Sequence, residues 1–402
     1  MKPKLLVFSE LFWPEGSGAE LATYLIVKDI LSKYFDVIVV SGTGRPDPGV
    51  LGNCRYIYWG LLRGGYKPLE WAEILANVGH VRRLIEGVDV VYIPSHTLLP
   101  LAVIAKRLKP DMRVAIHLHD YQPLTYTSVV LSDREPDLAT DIIVERWEHE
   151  SIARAMATGL LGFLNKVNML ALRVADMVIC VSRRQCELIL ERMPWLKPKT
   201  YVVHNPPPPI QVIEKRPNKT PTFLYGGGFS VIKGVYVIAK ALKYLERRRE
   251  TWRARLLITF GRVGKRRRLI EALRRLNTTK VEILGRIPYQ EVLKLHREVW
   301  TLLFPSIYEE PLPYAVLESA LLGTIPIASR TGGIPEILEG TPVEKYMFTP
   351  GDAGELAGKI EDISSLSPEE LLDVGSRLRE LTIKKFNVGK VEARLLKVFE
   401  LS

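Results

Sequence analysis

Residues 304–336 read Phe304-Pro-Ser-Ile-Tyr-Glu-Glu-Pro-Leu-Pro-Tyr-Ala-Val-Leu-Glu-Ser-Ala-Leu-Leu-Gly-Thr-Ile-Pro-Ile-Ala-Ser-Arg-Thr-Gly-Gly-Ile-Pro-Glu336. This order of residue types predicts a strand end at 302–305, a tight loop, a helix from about Pro313, a short strand at 325–329 and a Gly-Gly turn opening another helix. Pro313 suits a first helical turn, where its missing N–H costs nothing, and Gly323 suits a chain leaving a helix. A helix that starts at the tip of a buried strand aims its free N–H groups and positive dipole end into the adjoining crevice, which makes a site for an anion, most often a phosphate. Two carboxylates, Glu310 and Glu318, bracket this loop and helix with seven residues between them. Eight residues along a helix advance about 12 Å, comparable to the length of a nucleoside diphosphate sugar. One carboxylate then reaches the sugar end and the other the ribose hydroxyls, with the diphosphate over the helix N-terminus between them.

Outward from this stretch the chain alternates strand and helix patterns. In the first half, strands are expected at 5–9, 37–41, 88–94, 114–119 and 176–182, with helices at 19–32 and 98–108 and a long helical region at 140–174. His204-Asn205 followed by four prolines, and the polar run 214–221, have linker composition. The pattern then restarts with strands at 222–226, 255–260, 281–284 and 301–304 and helices at 235–249, 265–276 and 289–297. Alternating βα units imply parallel, doubly wound sheets whose strands are continuous apolar runs. The fold expected is therefore α/β, with two such domains facing across a cleft: residues 1–205 and 222–385, joined by 206–221. The two halves share an architecture without an alignable repeat.

Composition narrows the functional classes. The chain has 402 residues, 47% hydrophobic and 25% charged, which is ordinary globular material for two or three domains. Three cysteines (Cys54, Cys180, Cys186) lack metal-ligand spacing, and their odd count favours a reducing compartment over a disulfide framework. No signal-peptide pattern opens the sequence, so a cytoplasmic location is expected. The most apolar long run, 160–181, carries Asn165, Lys166, Asn168, Arg173 and Asp176, and reads as an amphipathic helix followed by a strand, too polar for a membrane span. Formal charge is +11, and residues 240–275 hold fourteen basic against three acidic residues. Such a run either touches anionic lipid headgroups or forms two solvated helix faces. No nucleic-acid motif accompanies it, and no nucleic-acid partner is expected.

The Glu310-x7-Glu318 layout, with Pro-Ser before it, Gly323-x-x-Pro326 after it and Gly332-Gly333-x-x-Glu336 beyond, resembles that of retaining glycosyltransferases with two facing Rossmann-like domains (the GT-B fold, glycosyltransferase family 4 type). The resemblance is strong over about 222–340 and diffuse before that. The family's second domain opens with Gly-Arg, four residues and Lys-Gly, the basic pair neutralising the departing diphosphate. Here Lys233 matches, whereas Gly228, after Gly227, stands where the arginine is expected; Arg262 or Arg330 is a conceivable substitute cation. Gly261-Arg262-Val263-Gly264 looks like the family's Gly-x-Gly turn, and Gly285-Arg286-Ile287 lies where relatives contact the nucleobase through main chain. In the first half, Pro14-Glu15-Gly16-Ser17-Gly18-Ala19-Glu20 resembles the family's glycine loop, and His119-Asp120 its crevice His-Asp. His117 reads as structural, and His96 is undecided.

The resemblance implies Glu310, His119 and Lys233 as the reacting-end residues. It implies donor binding by Gly16, Ser17, Gly18, Gly227, Gly228, Arg262, Arg286, Ile287, Leu312, Pro313, Tyr314 and Glu318. It further implies retention of anomeric configuration, a nucleotide-sugar co-substrate, a glycan or lipid-linked acceptor, peripheral membrane contact in some members, and a C-terminal tail from about 386 that packs back on the first domain. The sequence contains no Asp-x-Asp and no His/Cys cluster, so neither a metal nor a resident cofactor is expected. Three other readings stay open: an NAD-dependent oxidoreductase, although no Gly-x-Gly-x-x-Gly follows the first strand; a non-catalytic nucleotide-binding relative; and a sugar-nucleotide epimerase or phosphorylase of the same fold.

Overall fold

The computed structural model describes residues 2–65, 67–94, 97–211, 213–259 and 266–400. Two wholly parallel sheets organise the chain. The first is built from β1 (Lys4–Ser9), β2 (Asp36–Ser41), β3 (Arg55–Tyr58), β4 (Val90–Ile93), β5 (Arg113–Leu118), β6 (Met177–Cys180) and β7 (Thr200–Val202), in the order β3-β2-β1-β4-β5-β6-β7. The second holds β8 (Thr222–Tyr225), β9 (Ala254–Thr259), β10 (Thr279–Gly285), β11 (Thr301–Phe304), β12 (Ile325–Ser329) and β13 (Met347–Phe348), in the order β10-β9-β8-β11-β12-β13. Helices cover both faces, so the central strands are apolar at nearly every position: Leu5, Leu6, Val7 and Phe8 of β1 are fully buried.

The strand order reverses between β1 and β4 in the first sheet and between β8 and β11 in the second. At such a reversal the helices leave to opposite faces and a crevice opens beyond the strand C-termini. The segments leaving β1, β8 and β11 are the loops 10–17, 226–234 and 305–313. The fold therefore carries the glycine loop, the Lys233 loop and the Glu310 loop to its two crevices.

The central elements match expectation closely, and the differences have local causes. The helix expected at 19–32 is α-helical over Gly18–Ile26, passes through a π turn at Val27–Leu31 and ends in Ser32–Tyr34. The region 140–174 is three helices, Leu138–His149, Ile152–Leu161 and Lys166–Val174, because Glu150 turns left-handed at φ 51° and Gly162–Asn165 winds as 3-10 helix. Pro313 is the N-cap, not a first-turn residue: its ψ of 119° is extended. Strands β3, β7 and β13 are short edge pieces that the apolar pattern does not reveal. The helices Lys67–Ala76, Val78–Ile85, Arg183–Arg192, Ala353–Ser364 and Pro368–Lys385 also lie outside the pattern read from sequence. The last helix, Val388–Phe399, packs on the first domain, where Phe399 meets Phe35 at 5.4 Å and Tyr92 at 6.3 Å.

Candidate functional site between the two sheets

Glu310 lies in the loop that leaves β11 and is 4% exposed. Its Oε1 accepts hydrogen bonds from Lys233 Nζ at 2.7 Å and Ser306 Oγ at 2.9 Å, while Oε2 accepts from the Tyr308 hydroxyl at 2.8 Å. Lys233 Nζ also donates to the Tyr308 oxygen at 2.8 Å. A buried carboxylate is tolerable only with such partners. Lys233, assigned from sequence to the diphosphate, is thus placed on Glu310, with its side chain 33% exposed. Tyr308 and Ser306 complete the cluster, and sequence reasoning passed over both. The signal was there, since both lie within four residues of Glu310. Burial and the neighbouring carboxylate hold the Tyr308 phenol in its protonated, donating form by pushing its pKa well above the ordinary value.

The loop is held from behind by the Gly332-Gly333 turn. Gly333 N–H donates to the Glu310 carbonyl at 2.8 Å, and Gly332 N–H donates to the Glu309 carboxylate. At Gly332 φ is +51°, and a Cβ there would lie 1.8 Å from the Glu310 carbonyl oxygen. Only glycine fits. Glu336, read as the end of the same motif, points instead across the domains. It accepts from Arg183 N at 2.7 Å, Arg184 N at 3.2 Å and His204 Nε2 at 2.8 Å, so it caps the N-terminus of helix Arg183–Arg192.

Two adjoining cavities occupy the cleft, with volumes of about 290 and 340 Å³. The first is lined by Glu310, Lys233, Tyr308, His119, Gly227, Leu312 and Pro313, among others. The second is lined by Glu318, Arg286, Ile287, Tyr289, Trp13, Gly16 and Thr259, among others. Ser17, Gly18, Gly226, Tyr314 and Ala315 line both. The N-terminus of helix Tyr314–Leu321 therefore lies at the junction, with one carboxylate in each chamber.

Glu318 is buried in that helix, and its Oε1 accepts from the Tyr289 hydroxyl at 2.7 Å. Burial pushes its pKa up to about 7, with the Tyr289 hydrogen bond opposing. The folded value lies above the unfolded one of 4.5, so folding retains a proton that the unfolded chain releases. This contribution to stability is present below pH 4.5 and is lost as pH rises through about 7. Glu318→Gln keeps an acceptor for Tyr289 and removes the titration. The variant is expected to match wild type near pH 5 and to exceed it at pH 8 by about 1–3 kcal/mol. Urea melts at both pH values check this, and parallel pH profiles for the two proteins would contradict it.

The first domain closes the cleft from the other side. Ser17 caps helix Gly18–Ile26, in a capping box with Glu20. A Cβ on Gly18 would come 3.2 Å from the Tyr314 ring, so the missing side chain is what allows this close approach. His119 follows β5 and stacks on His117 with ring centroids 4.6 Å apart. His117 is buried and bonds the Tyr92 hydroxyl through Nδ1 at 2.6 Å, a structural position. Asn205, read as linker, lines the first cavity at 4% exposure, and its Oδ1 has no hydrogen-bond partner among the described residues.

Gly228 lines neither cavity, but its φ of +58° explains why arginine is disfavoured there. Arg262 and the turn 261–264 lie outside the described residues, as does His96. Arg330 pairs with Glu339 at 3.3 Å and lines neither cavity.

Inter-domain hydrogen bonds converge on the same loops. Glu148 Oε1 accepts from Val231 N at 2.7 Å and Ile232 N at 3.1 Å. Leu131 bridges Tyr308, with Glu309 N donating to Val130 O at 2.8 Å. Some cations of the basic run at 240–275 are taken up in ion pairs or hydrogen bonds, while others stay exposed. Arg266 turns inward to the Trp147 carbonyl and Glu150, and Arg249 pairs with Glu361 at 2.5 Å.

Comparison with known proteins bears on the second half above all. Residues 208–380 match the family model "Glycosyl transferases group 1". A relative from Escherichia coli (strain K12), named "Putative colanic acid biosynthesis glycosyltransferase WcaL", is 27% identical over 173 residues, 42% of each chain. The match thus spans less than half the length of that relative. An Arabidopsis thaliana component of phosphatidylinositol N-acetylglucosaminyltransferase is 22% identical over 371 residues, 83% of this chain and 76% of its own. Among solved structures, Anabaena Alr3699/HepE in complex with UDP-glucose superposes with a TM-score of 0.67 at 15% identity, covering 99% of both chains. Sucrose-phosphate synthase from Thermosynechococcus elongatus gives 0.70 at 18% identity, covering 99% of this chain and 98% of its own. The fold is the two-domain, Rossmann-like GT-B architecture.

Proposed function

We propose that this chain is a retaining, metal-independent glycosyltransferase of the family 4 type. It moves a hexosyl group from a nucleoside diphosphate sugar to a hydroxyl of a glycan or lipid-linked acceptor in the cytoplasm. The observation that carries the reading is the placement of Glu310 and Glu318 in adjoining cavities on either side of one helix N-terminus. The match of residues 208–380 to group 1 glycosyl transferases supports the reaction class. The UDP-glucose bound by HepE supports a nucleotide-sugar donor.

In this reading the ribose sits on Glu318, and the diphosphate sits over the N–H groups that open helix Tyr314–Leu321. The sugar reaches Glu310 and His119 in the first cavity. The bond between the anomeric carbon and the phosphate oxygen breaks, and the acceptor oxygen bonds that carbon from the same face. The acceptor proton passes to the departing phosphate oxygen. Glu310, too well paired to be a covalent nucleophile, binds sugar hydroxyls and steadies the oxocarbenium-like charge. Lys233 lines the first cavity beside Glu310, and in this reading its charge also meets the negative charge that grows on the leaving group.

The test is a thermal-shift screen against UDP-, GDP- and ADP-sugars, because a ligand that binds the folded state alone raises the melting temperature. Transfer in EDTA follows with whichever donor shifts it. No shift with any nucleotide sugar would sink the reading. Within it, Lys233→Ala is expected to lower kcat by more than about tenfold, or roughly 1.4 kcal/mol, with a smaller change in donor KM. The departing phosphate, which this reading brings near Lys233, gains negative charge in the transition state. Normal turnover by Lys233→Ala would move the phosphate charge to another residue. Gly228→Arg should not raise activity, since the left-handed backbone there costs a side chain about 1–2 kcal/mol.

A further inference from the structure

Helices Ile152–Leu161 and Lys166–Val174, joined by the 3-10 turn Gly162–Asn165, form an arm on the first domain, the first of them packed on helix Leu138–His149. One side of the arm is anchored: Ala155, Thr158, Asn168, Ala171 and Leu172 are buried. The other side is apolar and open. Ile152, Met156, Leu160 and Phe163 are 67%, 65%, 74% and 62% exposed. Their spacing of four, four and three residues sets them in one stripe along a helix. Met169 and Leu170 extend the exposed apolar surface. Isolated apolar side chains on a surface need no explanation, but a contiguous stripe does.

Charge identifies what covers it. The 23 residues Ile152–Val174 contain no aspartate or glutamate and three cations, Arg154, Lys166 and Arg173. Arg154 contacts Glu145 on the neighbouring helix at 3.1 Å, while Lys166 and Arg173 are exposed. An apolar stripe on a segment whose own charges are all positive, with Lys166 and Arg173 exposed, complements an anionic lipid surface. By length and composition Ile152–Val174 is apolar enough to cross a membrane. The buried inner side and the 3-10 bend at Gly162–Asn165 argue against a straight span. A cavity of about 390 Å³ opens between the arm and the first domain, lined by Lys67, Tyr126, Thr127, Glu145, Arg154 and Thr158. The preceding helix brings Glu148 to the Lys233 loop.

We infer that the arm Ile152–Val174 seats the protein on an anionic bilayer, with Ile152, Met156, Leu160 and Phe163 entering the headgroup–acyl boundary, so that the acceptor is a lipid-linked one drawn from that surface. The membrane contact stands on the arm alone; the acceptor assignment rests on the glycosyl-transfer reading. Under this inference the contact surface is the arm, and the cations at Arg247, Arg248 and Arg249 play no part in it.

Flotation of the full chain with vesicles tests this, using phosphatidylcholine alone and phosphatidylcholine mixed with phosphatidylglycerol. The chain should float with the anionic vesicles only, and added salt should weaken the association. The fourfold variant Ile152→Ser, Met156→Ser, Leu160→Ser, Phe163→Ser should lose at least about tenfold in vesicle affinity, because each exposed apolar contact is removed. All four side chains are exposed, so the variant should keep its fold and its donor hydrolysis. Neutralising Arg247, Arg248 and Arg249 should leave flotation unchanged. Equal flotation of the fourfold variant, or loss only when Arg247, Arg248 and Arg249 are neutralised, would overturn the inference. A concentration-dependent dimer that the variant abolishes, without vesicle binding, would assign the stripe to a second copy and overturn it too. Donor hydrolysis without vesicle binding rejects the arm and spares the enzyme reading; vesicle binding without donor turnover does the reverse.

Discussion

Glu310→Gln is expected to lower kcat by about 10²–10³, or roughly 2.7–4 kcal/mol, while nucleotide affinity stays close to wild type. The side chain is almost isosteric, so the loop keeps its shape. What goes is the negative charge that three donors converge on: Lys233, Ser306 and Tyr308. Two consequences follow for the transition state. The oxocarbenium-like sugar loses its counter-charge, and Lys233 loses the partner that fixes its direction. On the proposed function the nucleotide half of the donor occupies the other chamber, at Glu318, and should not sense the change. Steady-state kinetics give the first quantity and calorimetry with free nucleoside diphosphate the second. Glu318→Ala should show the opposite pattern, with weakened nucleotide binding. Nucleotide affinity that falls with Glu310→Gln and holds with Glu318→Ala would reverse the assigned direction of the donor.

The second large effect is structural. Gly332→Ala forces a Cβ to within 1.8 Å of the Glu310 carbonyl oxygen, a backbone atom that has nowhere to go. Its positive φ adds about 1–2 kcal/mol of its own. The expected loss of stability is about 3 kcal/mol or more, a drop in melting temperature of about 6–12 °C. Activity should fall as well, because the turn that moves is hydrogen-bonded to Glu310 itself. Gly340→Ala separates the two causes. Gly340 has a φ of +72° and nothing within 4 Å of its added Cβ, so its variant carries the backbone strain alone. Equal melting temperatures for the two variants would show that the turn does not buttress the Glu310 loop.

Much of the fold was legible in the sequence because buried parallel strands announce themselves. β11 and β12 are largely apolar runs bounded by proline and glycine, and both have the limits that composition suggests. What stayed hidden was short or mixed in character. β3 holds two half-buried and two exposed residues, and β13 has only two residues. Helix Pro368–Lys385 has Leu371, Val374 and Leu378 at helical spacing, but the exposed Leu372, Leu381 and Ile383 blur that stripe.

The site divided along similar lines. Spacing and motif picked out Glu310, Glu318, Lys233 and the glycine loop, and these line the two cavities. Asn205 was hidden among prolines, and Tyr289 reaches Glu318 from a segment 29 residues away. Glu336 shows the reverse case. It sits in a motif that points to the donor, yet its carboxylate holds the first domain's helix N-terminus and His204. Although burial pulls the other way, those partners hold its pKa below the ordinary value. Hydrogen bonds across a domain boundary leave no periodic trace in either segment.

The central claim is that one helix N-terminus, with Glu310 on one side and Glu318 on the other, holds a nucleoside diphosphate sugar for transfer with retention. The most direct measurement is proton NMR of the sugar product formed from a binding nucleotide sugar in EDTA, read before mutarotation. The first-formed product should keep the donor's anomeric configuration, and Glu310→Gln should suppress its formation without loss of nucleotide binding. A product of inverted configuration, or turnover that EDTA abolishes and added metal restores, would contradict it.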